Sequence, residues 1–215
     1  MKREPITHGG VFSDEAFAHE YARKHWGMAV RFGRYFGKQL ARSGFSGGRV
    51  VDVGCGFGAT LLTLAERFPG GEFVGVDLSD PLLGLATKKA REKGVGNEVS
   101  FERADVQDLP FAVGSFDVVI NLNMVHLVED PRRMLAEMER VLTPGGGFFL
   151  IDLRRSFLGW FEKEIRSSLS SREAKELLSK SVLRKGRFSV GPLWWRYKHL
   201  PSLVPDPLPT ESRHT

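Results

Sequence analysis

The stretch Val50-Val-Asp-Val-Gly-Cys-Gly-Phe-Gly58 carries the strongest signal for the fold. Valines lead into three glycines at alternate positions, Gly54, Gly56 and Gly58, and leucines at helical spacing follow at once. This order predicts a buried strand, a tight turn and the start of a helix. Glycines let the turn adopt unusual backbone angles and leave bare backbone against a ligand. The free N–H groups of a helix start favour an anionic or polar group, so a nucleotide-like cofactor is the expected ligand.

Acidic residues at the ends of predicted strands narrow the choice of cofactor. Asp52 stands two residues before the first glycine, and Asp77 ends the second strand, 21 residues after Gly56. A carboxylate at that spacing accepts hydrogen bonds from both hydroxyls of an adenosine ribose. Asp105 follows a third strand. The glycines alone also match the dinucleotide-binding pattern, as Gly54-x-Gly56-x-x-Ala59, so the acids are needed to decide.

Strand and helix patterns alternate through the middle of the chain, which is typical of a doubly wound parallel sheet. In such a sheet, ligands bind beyond the carboxyl ends of the strands, where the strand order reverses. The predicted strands lie near 49–53, 72–77, 98–103, 116–121 and 146–152, and the predicted helices near 58–68, 80–93 and 131–142.

The segments before and after this core also have patterns that predict secondary structure. Residues 13–43 are predicted to be helical, with a break near Gly27. Residues 157–180 are predicted to be helical, and residues 187–199 to form two short strands at an antiparallel edge. The proline-rich tail from Pro201 is predicted to be disordered.

Together these motifs resemble those of the class I S-adenosylmethionine-dependent methyltransferases, and more narrowly the small-molecule group that includes the ubiquinone and menaquinone C-methyltransferases. The resemblance implies an α/β fold with a Rossmann-like, doubly wound, seven-stranded and mostly parallel sheet, an antiparallel C-terminal hairpin and N-terminal lid helices. Five blocks in the right order carry it: Val51-Asp-Val-Gly-Cys-Gly-Phe-Gly58, Gly75-Val-Asp77-Leu-Ser79, Ala104-Asp105-Val-Gln-Asp-Leu-Pro-Phe111, Ser115-Phe-Asp117-Val-Val and Leu142-Thr-Pro-Gly-Gly-Gly147.

The resemblance also implies one methyltransferase domain over residues 1–200. Within it, lid helices would occupy residues 12–48, the cofactor-binding core residues 49–155, and further helices with the edge hairpin residues 156–200. Residues 201–215 would be a disordered tail. The sequence does not indicate an oligomeric state.

A set of residues is assigned by the resemblance to S-adenosylmethionine and to its product S-adenosylhomocysteine. Asp77 would hold the ribose hydroxyls, while Asp105 and the backbone of Val106 would recognise adenine. Ordinary capping or turn roles remain the alternative for the two acids. No metal site is predicted. The predicted cofactor-binding residues are Tyr21, Asp52, Gly54, Cys55, Gly56, Gly58, Asp77, Leu78, Asp105, Val106 and Asn121.

His126, just beyond the fourth predicted strand, is the candidate catalytic residue. An imidazole can take a proton from a substrate hydroxyl, amine or activated carbon. A histidine packed under the following helix remains the alternative. Asn123, His126 and Trp26 are the predicted substrate contacts, and Tyr21, His25 and Trp26 the predicted lid contacts. Aromatic residues at helical spacing more often belong to a core.

The composition of the 215-residue chain excludes some classes of protein. No apolar stretch is long enough to span a membrane, and the N-terminus lacks the apolar region of a signal peptide. The lone Cys55 rules out an internal disulfide framework, and these features predict a cytoplasmic protein. The formal charge of +5 is spread over several predicted helices, which indicates solvated surfaces unless the basic residues converge on one face.

The sequence leaves several classes of methyl acceptor as alternatives. An apolar stripe within residues 157–169 would line a pocket for a lipophilic small molecule, touch a membrane surface, or belong to the core. The basic charge and Trp194-Trp-Arg-Tyr-Lys198 suggest RNA or protein instead, although an edge strand has the same pattern. A non-catalytic cofactor-binding module also fits. An NAD(P)-dependent oxidoreductase is disfavoured by the Ala104-Asp105 block.

Overall fold

A computed structural model describes residues 14–156 and 163–201 of the chain. Within these residues, every helix is too short or too polar to span a lipid bilayer. The elements, in chain order, are α1 (Glu15–Arg42), β1 (Arg49–Val53), α2 (Ala59–Arg67), β2 (Glu72–Asp77), α3 (Asp80–Glu92), β3 (Val99–Arg103), β4 (Phe116–Leu122), α4 (Pro131–Val141), β5 (Leu142–Leu153), α5 (Lys163–Ser167), α6 (Ser171–Ser179), β6 (Arg187–Val190) and β7 (Trp194–His199).

The strands form one mixed sheet of seven in the order β3-β2-β1-β4-β5-β7-β6. β1 to β5 run parallel, whereas β7 pairs antiparallel with β5, and β6 pairs antiparallel with β7. This confirms the predicted Rossmann-like α/β fold with an antiparallel C-terminal hairpin. The strand order reverses between β1 and β4, so their carboxyl ends flank the crevice in which such folds bind ligands.

Helices cover both faces of the sheet, so the central strands are buried on both sides. Along β1, Val51 and Val53 pack into the core on the side of α4 and α6, while Val50 packs into the core on the side of α1 and α2. The chain therefore folds into three layers. Loops that carry polar residues gather at the two edges where the strands begin and end.

α1 is one continuous helix, so the predicted break near Gly27 is wrong, and the predicted lid helices are a single helix. A glycine within a helix costs only about 1 kcal/mol relative to alanine. Packing elsewhere on the helix offsets that cost, because two other glycines, Gly33 and Gly37, let α1 lie directly against α2. A Cβ at Gly33 would stand 2.7 Å from Thr63 Cβ, and one at Gly37 would stand 2.7 Å from Arg67 Cδ.

The C-terminal segment agrees with the sequence pattern where it is described. β6 and β7 form the predicted edge hairpin, and α5 and α6 fall within the stretch predicted to be helical. Ser170 and Glu173 form a capping box at the start of α6. Residues 157–162 of the apolar stripe and the predicted disordered tail 202–215 lie outside the described residues. The division of the chain into one domain ending at residue 200 stays a prediction.

Candidate active site

A cavity of about 630 Å³ opens at the carboxyl edge of the parallel strands, beside the point where the strand order reverses. The loops that follow β1, β2, β3 and β4 form its walls, and α1 forms one side. Folds with this sheet order bind ligands here. Most of the predicted cofactor and substrate residues line it, namely Tyr21, Asp52, Gly54, Cys55, Gly56, Asp77, Leu78, Asp105, Val106 and Asn123.

The glycine-rich turn after β1 presents its backbone to the cavity. Gly54 at φ +86° and Gly56 at φ +52° adopt left-handed angles that favour glycine. A Cβ at Gly54 would stand 2.2 Å from Met124 Cγ, whereas one at Gly56 would meet no described atom within 4 Å. The turn therefore packs tightly against the loop after β4 at Gly54 and leaves bare backbone beside open space at Gly56.

Asp77 fastens this turn to the end of β2. Its Oδ2 accepts a hydrogen bond from the Gly56 N–H at 2.8 Å, and its Oδ1 accepts one from the Ser79 N–H at 3.0 Å. Burial raises the pKa of Asp77, and these backbone donors partly offset the shift. Leu78, which is 56% exposed, follows it on the cavity wall. The carboxylate and its apolar neighbour form a surface that suits a ribose and an adjoining flat ring.

Asp52 is a buried acid whose side chain is only partly satisfied. It is 2% exposed, and its Oδ1 has no hydrogen-bond partner within the described parts of the chain. Burial, and then the nearby charge of Asp77, raise the pKa of Asp52 to about 8. A buried carboxylate without a partner is costly, and a cation bound in the cavity would remove that cost.

Acidic side chains dominate the cavity, although the whole chain carries a formal charge of +5. Arg103 is the single arginine or lysine among the described lining residues. It is itself held by Asp80 Oδ2 at 3.4 Å and by the Leu78 carbonyl at 3.2 Å. The cavity is therefore suited to a positively charged ligand. Its acids are Glu15, Asp52, Asp77, Asp80, Asp105 and Glu129.

The loop after β3 is tied down by Gln107, a residue that the sequence patterns did not single out. Asp105 Oδ1 accepts hydrogen bonds from the Gln107 N–H at 2.9 Å and from its side-chain amide at 3.2 Å. The Gln107 side-chain carbonyl in turn accepts one from the Asp130 N–H at 2.8 Å, at the start of α4. The loop that carries Asp105 and Val106 is thus joined to the helix on the far side of the cavity.

The part of the cavity that is lined by the later turns of α1 and by the loop after β4, its apolar side, carries mostly apolar side chains. Asn123 lies within that side at φ 58°, a left-handed angle that asparagine tolerates better than most residues. Its Oδ1 is buried without a hydrogen-bond partner among the described residues. A ligand here would meet a mostly apolar surface. The apolar side chains are Met28, Ala29, Phe32, Leu122, Met124, Leu127 and Val128.

The α1 part of this wall follows a helical spacing that the sequence analysis missed. Tyr21, His25, Met28 and Phe32 recur every three or four residues and all line the cavity. The predicted break at Gly27 divided this stripe in two and concealed it. Treating residues 15–42 as one helix would have revealed it.

Besides His126, three predicted contacts do not line the cavity. Asn121 is fully buried and donates a hydrogen bond from Nδ2 to the Val53 carbonyl at 2.7 Å, which joins the ends of β4 and β1. Trp26 stacks on Phe57 with ring centroids 5.8 Å apart. Gly58 precedes the first residue of α2 behind the glycine-rich turn. These residues support the walls of the site, and the cavity lining gives no support to direct ligand contacts from them.

His126 is buried against Asp152 and does not line the cavity. The two side chains are 2% and 1% exposed, and His126 Nδ1 lies 2.6 Å from Asp152 Oδ1. The His126 backbone N–H also donates to Asp152 Oδ2 at 3.2 Å. This geometry fixes the loop after β4 to β5 and favours the packing alternative. The catalytic role of His126 stays a prediction.

Known sequences match the region that builds this site. Residues 51–150 match the sequence profile of the methyltransferase domain family. A demethylmenaquinone methyltransferase of Thermus thermophilus is 39% identical over 104 residues, which cover 48% of this chain and 46% of that protein. A phthiotriol/phenolphthiotriol dimycocerosates methyltransferase of Mycobacterium leprae is 34% identical over 140 residues, which cover 65% of this chain and 50% of that protein.

Solved structures share the fold. The crystal structure of a SAM-dependent methyltransferase from Aquifex aeolicus superposes with a TM-score of 0.68 at 19% identity, over 86% of this chain and 97% of that chain. Residues 51–150 thus match the methyltransferase domain family, and the strand order of the sheet is that of the class I S-adenosylmethionine-dependent methyltransferase fold. The chain spans about half the length of the curated relatives that it matches.

Proposed function

We propose that the protein transfers a methyl group from S-adenosylmethionine to a small, lipophilic acceptor. The observation that carries the proposal is the division of one cavity into an acidic and an apolar side. The acidic side holds the unpartnered carboxylate oxygen of Asp52, and the apolar side holds the unpartnered Oδ1 of Asn123. The first suits a cationic cofactor, and the second suits an acceptor with much apolar surface and a polar group.

The residues of the acidic side fit S-adenosylmethionine, which supplies an electrophilic methyl group on a positively charged sulfur. Asp77 would accept hydrogen bonds from the ribose hydroxyls. Asp105 and the Val106 N–H would bind the adenine edge. Asp52 would balance the positive charge, and the bare backbone at Gly56 leaves room for the methionine part.

The chain's own contribution is to align the reactants and exclude water. Phe32 of α1 faces the same cavity as Met124 and Leu127 of the opposite loop. An acceptor held between them would be dry and fixed in orientation, and both effects accelerate a transfer reaction. The names of the two relatives, a demethylmenaquinone methyltransferase and a phthiotriol dimycocerosates methyltransferase, support a lipophilic acceptor.

An acceptor that keeps its proton also needs a base, and His126 is the candidate. A hydrogen on Nδ1 bonded to Asp152 would leave Nε2 free to accept a proton. Because His126 is 3% exposed, this role requires a shift of the loop after β4. A folded His126→Gln variant that keeps its turnover at saturating acceptor would exclude the role.

Nucleic acid is the less favoured acceptor. Trp195 is fully buried, and the Tyr197 hydroxyl accepts a hydrogen bond from the Gly186 N–H at 2.7 Å. These aromatic side chains therefore serve packing rather than base stacking. A cytoplasmic location is part of the proposal and rests on the lone Cys55.

A methyl-transfer assay tests the proposal. The full chain would be incubated with S-adenosylmethionine labelled in its methyl group and with a cell extract, and Asp77→Ala would serve as the inactive control. Label is expected in the small molecules that partition into organic solvent. Label in RNA or protein would overturn the small-molecule acceptor. Binding of S-adenosylhomocysteine with no transfer to any fraction would indicate a non-catalytic module, and preferential binding of NAD(P) an oxidoreductase.

A further inference from the structure

A second concave surface lies at the opposite edge of the sheet. A groove of about 890 Å³ opens between the C-terminal end of α1 and the base of the β6–β7 hairpin. β7 runs antiparallel to β5, so its last residues, Lys198 and His199, pair with Phe149 and Phe148 near the start of the parallel course of β5. This surface, the basic groove, therefore lies at the amino edge of the parallel strands.

The basic groove gathers cationic side chains from separate parts of the chain. Arg42 comes from the end of α1, Lys185 and Arg187 from the start of β6, and Lys198 with the imidazole of His199 from the end of β7. The described residues that line the groove include no aspartate or glutamate. Part of the formal charge of +5 thus converges on one surface, a point that the sequence left undecided.

These cations are not neutralised within residues 14–156 and 163–201. No arginine or lysine of the groove forms a salt bridge there, whereas the adjacent Arg184 pairs with Glu139 at 2.9 Å. Lys198 Nζ donates its hydrogen bond to the neutral Gln39 Oε1 at 2.7 Å. The groove therefore presents uncompensated positive charge to a ligand.

The arrangement carries an energetic cost that a bound anion would remove. Arg187 and Lys198 are direct partners in the antiparallel pair of β6 and β7, and like charges directly opposite each other are destabilising. Burial, followed by the positive charges of Arg187 and Arg42, lowers the pKa of Lys198. The dipole at the C-terminal end of α1 favours Arg42 but does not account for the cations of the hairpin.

We propose that the basic groove binds a compact, multiply charged phosphate group such as a diphosphate, either free or at the end of a larger molecule. Arginine and lysine are the donors that phosphate oxygens prefer. Lys198 is partly buried, while Arg42, Lys185 and Arg187 are exposed around it. This concave arrangement suits a compact anion that enters the groove better than it suits a flat bilayer. Because Trp195 is buried, the adjoining strand offers no stacking platform there for a nucleic-acid base.

Isothermal titration calorimetry with inorganic pyrophosphate tests the proposal on the full chain. The double variant Lys185→Gln/Arg187→Gln should weaken pyrophosphate binding by about tenfold or more. The matched control, Lys88→Gln/Arg91→Gln, removes the same number of charges from exposed positions of α3 and should change binding by less than about twofold. Binding of S-adenosylhomocysteine should be unchanged in both variants, so a failure here is distinct from a failure of the proposed function.

Equal losses in the two double variants, or no pyrophosphate binding to the wild-type chain, would overturn the proposal. Vesicles containing phosphatidic acid, compared with phosphatidylcholine vesicles, decide the source of the phosphate. Vesicle binding that pyrophosphate competes away supports a lipid-borne group, and pyrophosphate binding alone supports a free one. A single-stranded RNA that binds the chain and is not displaced by pyrophosphate would also overturn the proposal.

Discussion

The cavity and the basic groove lie at opposite edges of one sheet and carry opposite charge. The cavity, at the carboxyl edge, is lined by six carboxylates and a single arginine among the described lining residues. The groove, at the amino edge, is lined by two arginines, two lysines and a histidine, with no described acid. The net charge of +5 conceals this division, so it says little about what either surface binds. Local fields, rather than the total charge, select a cation at one edge and an anion at the other.

The cavity and the basic groove contain ionisable groups without partners among the described residues. The buried pair of His126 and Asp152 is instead satisfied within the fold. The side chains of His126 and Asp152 are enclosed by the fold and lie 2.6 Å apart, within hydrogen-bond distance. Asp52 and the groove cations lack such partners in the described residues, and only a ligand would supply them. The following predictions test this distinction, from the largest expected effect to the smallest.

Breaking the interior pair should cost the most. His126→Gln leaves the buried Asp152 side chain without its closest hydrogen-bond partner, and a buried polar group left unsatisfied costs about 3 kcal/mol. Urea unfolding at neutral pH measures the loss. Lys180→Gln, in the exposed Lys180–Glu176 pair, is the matched control and should change the unfolding free energy little. A small effect of His126→Gln would mean that the pair does not hold the loop in place.

At the carboxyl edge, Asp77→Ala should weaken S-adenosylhomocysteine binding by about 100-fold, or about 2.7 kcal/mol. The variant loses the acceptor for the ribose hydroxyls and the bond that holds the Gly56 N–H. Titration calorimetry measures the affinity, with the exposed Asp108→Ala as a control that should match the wild type. Pyrophosphate binding at the other edge should not change. Unaltered affinity in Asp77→Ala would contradict the predicted cofactor site.

The stability of the protein should depend on pH through Asp52. The folded protein keeps a proton on Asp52 up to about pH 8, whereas the unfolded carboxylate loses it near its ordinary pKa of 3.8. The folded state thus binds more protons in this window, so the contribution of Asp52 to stability falls as pH rises. Relative to wild type, Asp52→Asn should gain about 1 kcal/mol between about pH 6 and pH 7. Denaturant unfolding at the two pH values measures this, and parallel curves for the two proteins would contradict it.

The smallest effect concerns α1, which contributes to both edges. Gly27→Ala should stabilise the protein by about 0.5–1 kcal/mol, because a Cβ there meets no described atom within 4 Å and alanine favours helix. Gly33→Ala is the contrasting variant and should be destabilising, because its Cβ would stand 2.7 Å from Thr63 Cβ. Thermal unfolding of the two variants compares them. If Gly27→Ala destabilised the protein, that result would favour a break in the helix near Gly27.

The two edges differ in how far their residues could be predicted from the sequence. Each acid of the cavity that was predicted, such as Asp52, Asp77 or Asp105, stands at the end of its own strand, so a local pattern locates it. The basic groove joins residues 39–44, 185–187 and 198–201, and only the pairing of β7 with β5 brings them together. Charge convergence of that kind depends on topology and has no local signature.

Packing between distant elements accounts for the other differences. α1 continues through Gly27 and packs closely on α2 further along, at Gly33 and Gly37, which are contacts that a local pattern does not reveal. His126 lies in the loop after β4 and Asp152 in β5, and nothing near His126 in sequence indicates that this carboxylate lies against it. Asn121 has the residue type of a ligand contact but is used to join β4 to β1.

Because α1 is unbroken, it fixes the relative direction of its side chains at the two edges of the sheet as well as the distance between them. Phe32 lines the cavity and Gln39 lines the basic groove, seven residues later along one helix. Seven residues are roughly two turns, so both side chains leave the helix in nearly the same direction, about 10 Å apart. Inserting a single residue between them would rotate one against the other by about 100° and misalign an edge. Surface loops tolerate insertions of many lengths, whereas an insertion in this segment keeps both side chains aligned only when it is close to a whole number of turns.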